Sequence, residues 1–155
     1  MNDVLLLMPS NRESPNAARE AIALAKARGA RLAVVAVLDP ELLDRVSTTL
    51  SDVGFMGEKV GDQVRETLWR EYRSRAEHLA RGVAEQAQRE GVTAEAHVEE
   101  GDPSEICSRV VPQLHIGVAV LAAERRSWLT RLLSRTALRL PALAGCEVRV
   151  IEEEE

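Results

Sequence analysis

The residues best suited to chemistry are concentrated in one short stretch, AAERRSWLTRLLSRT, Ala122 to Thr136, which carries four arginines and no glycine. It follows an apolar run, IGVAVLA, that reads as a buried strand. A strand feeding a loop that opens a helix is the usual anion site of an α/β protein, because backbone N–H groups and the helix dipole converge there. Such a loop calls for glycine, which reaches positive φ and lets the backbone close on a phosphate. Here guanidinium groups stand instead. Arginine makes bidentate contacts to phosphate, so Arg125, Arg126, Arg131 and Arg135 offer another way to hold an anion. On a helix, Arg131, Arg135 and Arg139 step by four along one face, with Leu129, Leu132, Leu133 and Leu140 on the other. That pattern suits a membrane surface or an acidic partner. It suits equally well an ordinary solvated face whose arginines pair with nearby carboxylates.

Other chemically able side chains are dispersed. His78, His97 and His115 have no metal-ligand spacing. His78 sits among charged residues and reads as exposed; His97 and His115 flank strands and read as structural. Ser14 is placed as a helix N-cap, with no histidine or lysine motif to make it a nucleophile. Cys107 and Cys146 are far apart in sequence and read as buried thiols, with Arg109 the only cation near Cys107 in sequence. Trp69 and Trp128 read as packing anchors. GFMGEKVG has no preceding strand and no Lys-Ser/Thr ending, so it is not a phosphate loop. No nucleophile, base and orienting group come together, and the reading is of a protein that is not an enzyme.

The elements that position these residues follow from patterning. VLLLM (Val4 to Met8) and RLAVVAVLD are unbroken apolar runs, the signature of strands buried on both faces of a parallel sheet. Between them Ser14 and Pro15 open a helix, Ala18, Ala21, Ile22 and Ala25 form its apolar stripe, and Gly29 ends it. After Pro40 the pattern lapses into an excursion. From about Gly61 to Glu90 it is helical, with Val64, Leu68, Tyr72, Leu79 and Val83 recurring and Gly91 as the stop. VTAEAHVEE alternates as a third strand. In GDPSEICSRVVP, Asp102, Pro103 and Glu105 form a capping box and Pro112 closes a short helix. HIGVAVLAA is a fourth strand and CEVRVIE a fifth. The succession βαβ–αβ–αβ–αβ implies a parallel sheet with helices on both faces. Within 155 residues that is one domain, residues 1–151, followed by a solvated acidic tail at 152–155.

Apolar residues make up 45% of the chain and aromatics 3%, which demands an aliphatic core. A net charge of -5 argues against bulk binding of nucleic acid. There is no secretory signal and no apolar run long enough to span a membrane, so a cytoplasmic protein without membrane insertion is expected.

In order along the chain, VLLLMPSNRESPNAAREAIALAKARGARLAVVAVLDP, VEEGDPSEICSRV with IGVAVLAAE, and AGCEVRVI resemble the successive segments of universal stress protein domains. GDPSEI is the most specific piece. The resemblance covers nearly the whole chain. It implies an open five-stranded parallel α/β fold of the adenine nucleotide alpha hydrolase-like kind. It also implies dimers paired through the last strand, here by Val148 and Val150, and in many members an ATP site. In ATP-binding members the loop after the fourth strand reads Gly, two residues, Gly, nine residues, then Gly and Ser or Thr. Aligned without gaps, those glycines fall on Ala122, Arg125 and Arg135, and the hydroxyl on Thr136. Arg126 lies beside the second of these positions. The acidic nucleotide contact after strand one falls on Pro9. The expectation is a stress-response or regulatory binding module, a homodimer or partner of another protein, that has no ATP cofactor. The alternative is a nucleotide-binding regulatory domain in which arginines replace the glycine loop. Pro141 further implies a short or displaced last helix.

Overall fold

The computed structural model describes residues 3–10, 13–40, 58–123 and 145–153. Five parallel strands, β1 (Asp3–Pro9), β2 (Leu32–Leu38), β3 (Ala94–Glu100), β4 (Ile116–Ala123) and β5 (Glu147–Glu152), lie in the order β3-β2-β1-β4-β5. The described helices are α1 (Pro15–Arg28), α2 (Glu58–Arg89) and α3 (Pro103–Gln113). The excursion at 41–57 and the arginine stretch lie outside the described residues.

The sheet explains the apolar runs. Val4, Leu6 and Met8 of β1 face one side with Leu32, Val34, Ala36 and Leu38 of β2 and Val118, Val120 and Ala122 of β4. Leu5 and Leu7 face the other, with Val35, Val37, Ala119 and Leu121. β1, β2 and β4 thus alternate between two cores, and both of their faces must be apolar. Right-handed crossovers then dictate the layers. β1 to β2 to β3 moves one way across the sheet and puts α1 and α2 on one face. β3 to β4 reverses direction and puts α3 on the other.

Capping accounts for the helix ends. α1 begins with Ser14 at the N-cap and Pro15 at its first position, and buries Ala17, Ala18, Ala21, Ile22 and Ala25. It ends at Gly29, whose φ of 62° is left-handed and reached without a Cβ penalty. At α3, Asp102 accepts from the Ser104 amide at 2.9 Å and its hydroxyl at 2.6 Å. Pro112 does not close α3, which runs one residue further to Gln113. The difference is one residue, the ordinary fraying of a helix end.

α2 departs from expectation in a useful way. Val64, Leu68, Tyr72, Leu79 and Val83 are only half-buried. Its fully buried positions are Ala76, Ala80, Ala84 and Ala87. Small side chains let this helix sit close to the sheet, while the larger ones wedge along its flanks. Trp69, Tyr72, Leu79 and Val83 pack against the core in that flanking role.

The acidic tail is the main correction to the reading of domain extent. Glu152 belongs to β5, and Glu153 is 8% exposed. Both are part of the fold, because the Glu153 side chain is needed elsewhere, as described next.

Candidate functional site

In an open α/β sheet the binding crevice forms beyond the carboxyl ends of the strands, where neighbouring crossovers depart to opposite faces. Here that point lies between β1 and β4. The β1 side ends in Pro9, which is buried, pairs with Val37 and offers no N–H. On the β4 side Ala122 is fully buried and paired with Ile151, so the strand persists through the position where a glycine loop would begin. Both predicted site residues are therefore at the crevice, as strand residues. Arg125, Arg126, Arg135 and Thr136 lie outside the described residues.

Two backbone amides at the start of α1, the helix that follows β1, are already engaged. Glu153, emerging from β5, accepts from the Ala17 amide at 2.7 Å through Oε1 and from the Asn16 amide at 3.1 Å through Oε2. The Asn16 side-chain amide donates to the Glu152 carbonyl at 3.3 Å. These amides are among the four at a helix start that lack intrahelical partners, and a carboxylate there also meets the positive end of the dipole. Ser14 occupies the N-cap but makes no capping bond, and its buried hydroxyl has no partner. Glu153, 137 positions beyond Asn16, does the work assigned to Ser14. Ion pairs reinforce the same seam: Arg149 of β5 meets Glu20 of α1 at 2.8 Å, and Arg28 approaches Glu147 at 3.8 Å. The hydrogen bond to Glu20, then the Glu147 carboxylate, hold Arg149 firmly charged.

The thiols are placed for stability. Cys107 is buried in α3, and its pKa is pushed up to about 12, chiefly by burial and secondarily by the nearby Cys146 thiol. Burial also raises Cys146; a backbone hydrogen bond from Ala119 opposes this and the Glu147 carboxylate adds to it. Arg109 cannot activate Cys107, since Glu99 engages it at 2.8 Å. The sequence placed the thiols far apart, yet both border the core beneath α3.

The histidines do not converge. His78 is exposed on α2, His115 is exposed with a φ of 54°, and His97 lies within β3 rather than beside it. Among the described residues no three His, Cys, Asp or Glu side chains are grouped to hold a metal, and no helix is long and apolar enough to cross a membrane. At the sheet edges, β5 exposes Val148 at 36%, while Val150 packs half-buried against the α3-side core.

A five-stranded parallel sheet of this order, with its crevice at β1 and β4, defines an open α/β domain. The universal stress protein family model matches residues 1–152, and the chain belongs to that family. Solved structures agree on the fold. A universal stress protein family member from Burkholderia pseudomallei superposes with a TM-score of 0.65 at 20% identity, over 97% of this chain and 95% of that one. UspA from Lactobacillus plantarum gives 0.65 at 19%, over 97% of each chain. A universal stress protein solved in complex with cAMP gives 0.60 at 11%, over 99% of this chain and 98% of that one. No curated protein sequence matches the chain.

Proposed function

We propose that this chain is a non-catalytic, regulatory binding module of the universal stress protein family, one that does not hold ATP in the family's usual way. The reading is supported most by what stands at the crevice. Pro9 replaces a carboxylate with a ring that neither donates nor accepts through its side chain. Ala122 is a buried strand residue where backbone flexibility would be required. In the sequence, arginines stand at the remaining glycine positions, so those positions lack the bare backbone that a phosphate would approach. Such a module acts through association, as a cytoplasmic homodimer joined along β5 or as the partner of another protein. The exposed Val148 on an outer strand favours the first.

A second reading has one observation in its favour: a similar structure was solved with cAMP. In it, Arg125, Arg126, Arg135 and Thr136 hold a nucleotide in place of the glycine loop. Calorimetry with ATP·Mg, AMP and cAMP separates the two. No heat of binding at millimolar nucleotide is expected. Saturable binding that is lost in Arg125→Ala and Arg135→Ala would overturn the first reading in favour of the second.

A further inference from the structure

A cavity of about 260 Å³ lies between the start of α1 and the middle of α2, on the sheet face away from α3. Its apolar wall is made by Met8, Ala18, Leu79 and Val83. Met8 of β1 and Ala18 of α1 belong to the buried core, while Leu79 and Val83 of α2 are half-buried. Two features of the lining are unfavourable as they stand. Ser14 is 3% exposed, and its buried hydroxyl has no hydrogen-bond partner among the described residues. A buried, unpaired hydroxyl costs about 1–3 kcal/mol. Gly82 sits in the interior of a long helix, where glycine costs about 1 kcal/mol relative to alanine. No close packing requires it, for a Cβ built there meets no atom within 4 Å.

We propose that this cavity is a binding site for a small amphiphile: an apolar body of roughly ten non-hydrogen atoms, a size set by the cavity and the ≈ 30 Å³ each water occupies in the liquid, bearing an uncharged or cationic hydrogen-bonding head. An occupant explains both unfavourable features at once. Its head gives Ser14 the missing partner, with the half-buried Gln86 amide as a second contact. Its body covers Gly82, which is otherwise exposed at the cavity mouth. The charge of the head follows from the surroundings. Glu13 stands exposed at the rim. The α1 amides that would welcome an anion at Asn16 and Ala17 are taken by Glu153. His78 also stands exposed in the lining. An anionic head therefore meets the Glu13 carboxylate, finds the Asn16 and Ala17 amides taken and is left with His78 and Gln86 as donors, while an amine or alcohol meets Glu13 as an acceptor. None of the lining residues is among the positions aligned with the ATP loop.

Three probes of one shape test it: phenethyl alcohol, phenethylamine and phenylacetate, titrated at millimolar concentration into the isotope-labelled full chain and followed by amide NMR shifts. The alcohol and the amine are expected to shift Ser14, Ala18, Gly82 and Val83 saturably, and phenylacetate to leave them in place. Gly82→Leu, which fills the cavity with a better helix former, is expected to abolish those shifts, and Gly82→Ala to retain them. Ser14→Ala is expected to weaken the alcohol about fivefold, the loss of one neutral hydrogen bond. The proposal is overturned if no probe binds, if all three bind alike, if the shifts map elsewhere, or if Gly82→Leu binds as well as the parent.

Discussion

Removing the Glu153 carboxylate tests whether the last strand's exit holds the first helix. Glu153→Ala strips one acceptor from the buried Ala17 amide at 2.7 Å and another from Asn16 at 3.1 Å. A hydrogen bond to a charged group contributes about 1.5–3 kcal/mol net, and a lost N-cap costs about 0.5–2 kcal/mol. Water can reach the part-buried Asn16 amide once the side chain is gone, so the two bonds do not add in full. The expected loss is about 2–3 kcal/mol, a large share of the roughly 5–15 kcal/mol that stabilises a domain. Glu153→Gln keeps an acceptor of the same shape but not its charge, and should lose about 1 kcal/mol. Glu152→Ala is the control. Its side chain is exposed and only its carbonyl is used, so it should stay within about 0.5 kcal/mol of the parent. Urea unfolding followed by circular dichroism reads all three as midpoint shifts at constant slope. If Glu153→Ala unfolds at the parent's midpoint, or Glu152→Ala costs as much, the capping account is wrong.

At Gly29, substitution by alanine places a Cβ at φ 62° and should cost about 1–2 kcal/mol in the same urea assay, although nothing lies within 4 Å of that carbon. The buried thiol makes a pH prediction. Because Cys107 ionises only near 12 when folded against an ordinary 9.0, the unfolded chain releases its proton first, and stability should fall as pH rises from about 9 toward 12. Cys107→Ala should flatten that limb of the pH profile. At neutral pH, Cys146 should react with a maleimide well before Cys107, which should label only at the rate of unfolding; equal labelling rates would contradict the burial. For the proposed dimer, Val148→Arg should shift the mass measured by light scattering at micromolar concentration from dimer to monomer, and a monomeric parent would remove the proposal altogether.

Sequence and structure agree where physics is local and diverge where it is not. The strands were legible because unbroken runs such as VLLLM have no soluble home except a sheet covered on both faces. The stop at Gly29 and the Asp102 cap were legible because each depends on neighbours within a turn. Ser14 shows the limit. Its type and position predict a capping hydroxyl, yet Glu153 takes the amides, and nothing within ten residues of either announces that pairing. The acidic ending looked like solvated tail for the same reason. On α2, the sequence drew attention to the largest apolar residues, whereas contact with the sheet selects the smallest, Ala76, Ala80, Ala84 and Ala87. Periodicity gives the face of a helix but not its distance from its neighbour. At the crevice, Pro9 and Ala122 were located by alignment to a family pattern; no local signal in either would have marked it.

The bond between Glu153 and α1 has a consequence for the order in which the chain becomes itself. A ribosome delivers the first helix long before the strand that completes it. During synthesis α1 emerges with two of its amides unclaimed, and β1, the middle strand, waits for β4 before its second edge is paired. Contacts spanning so much of the chain form late and slow folding. The N-terminal half is thus held in a provisional state until β5 and Glu153 have been made, and a chain stopped before β5 would present chaperones and proteases with an open sheet and an unfinished helix.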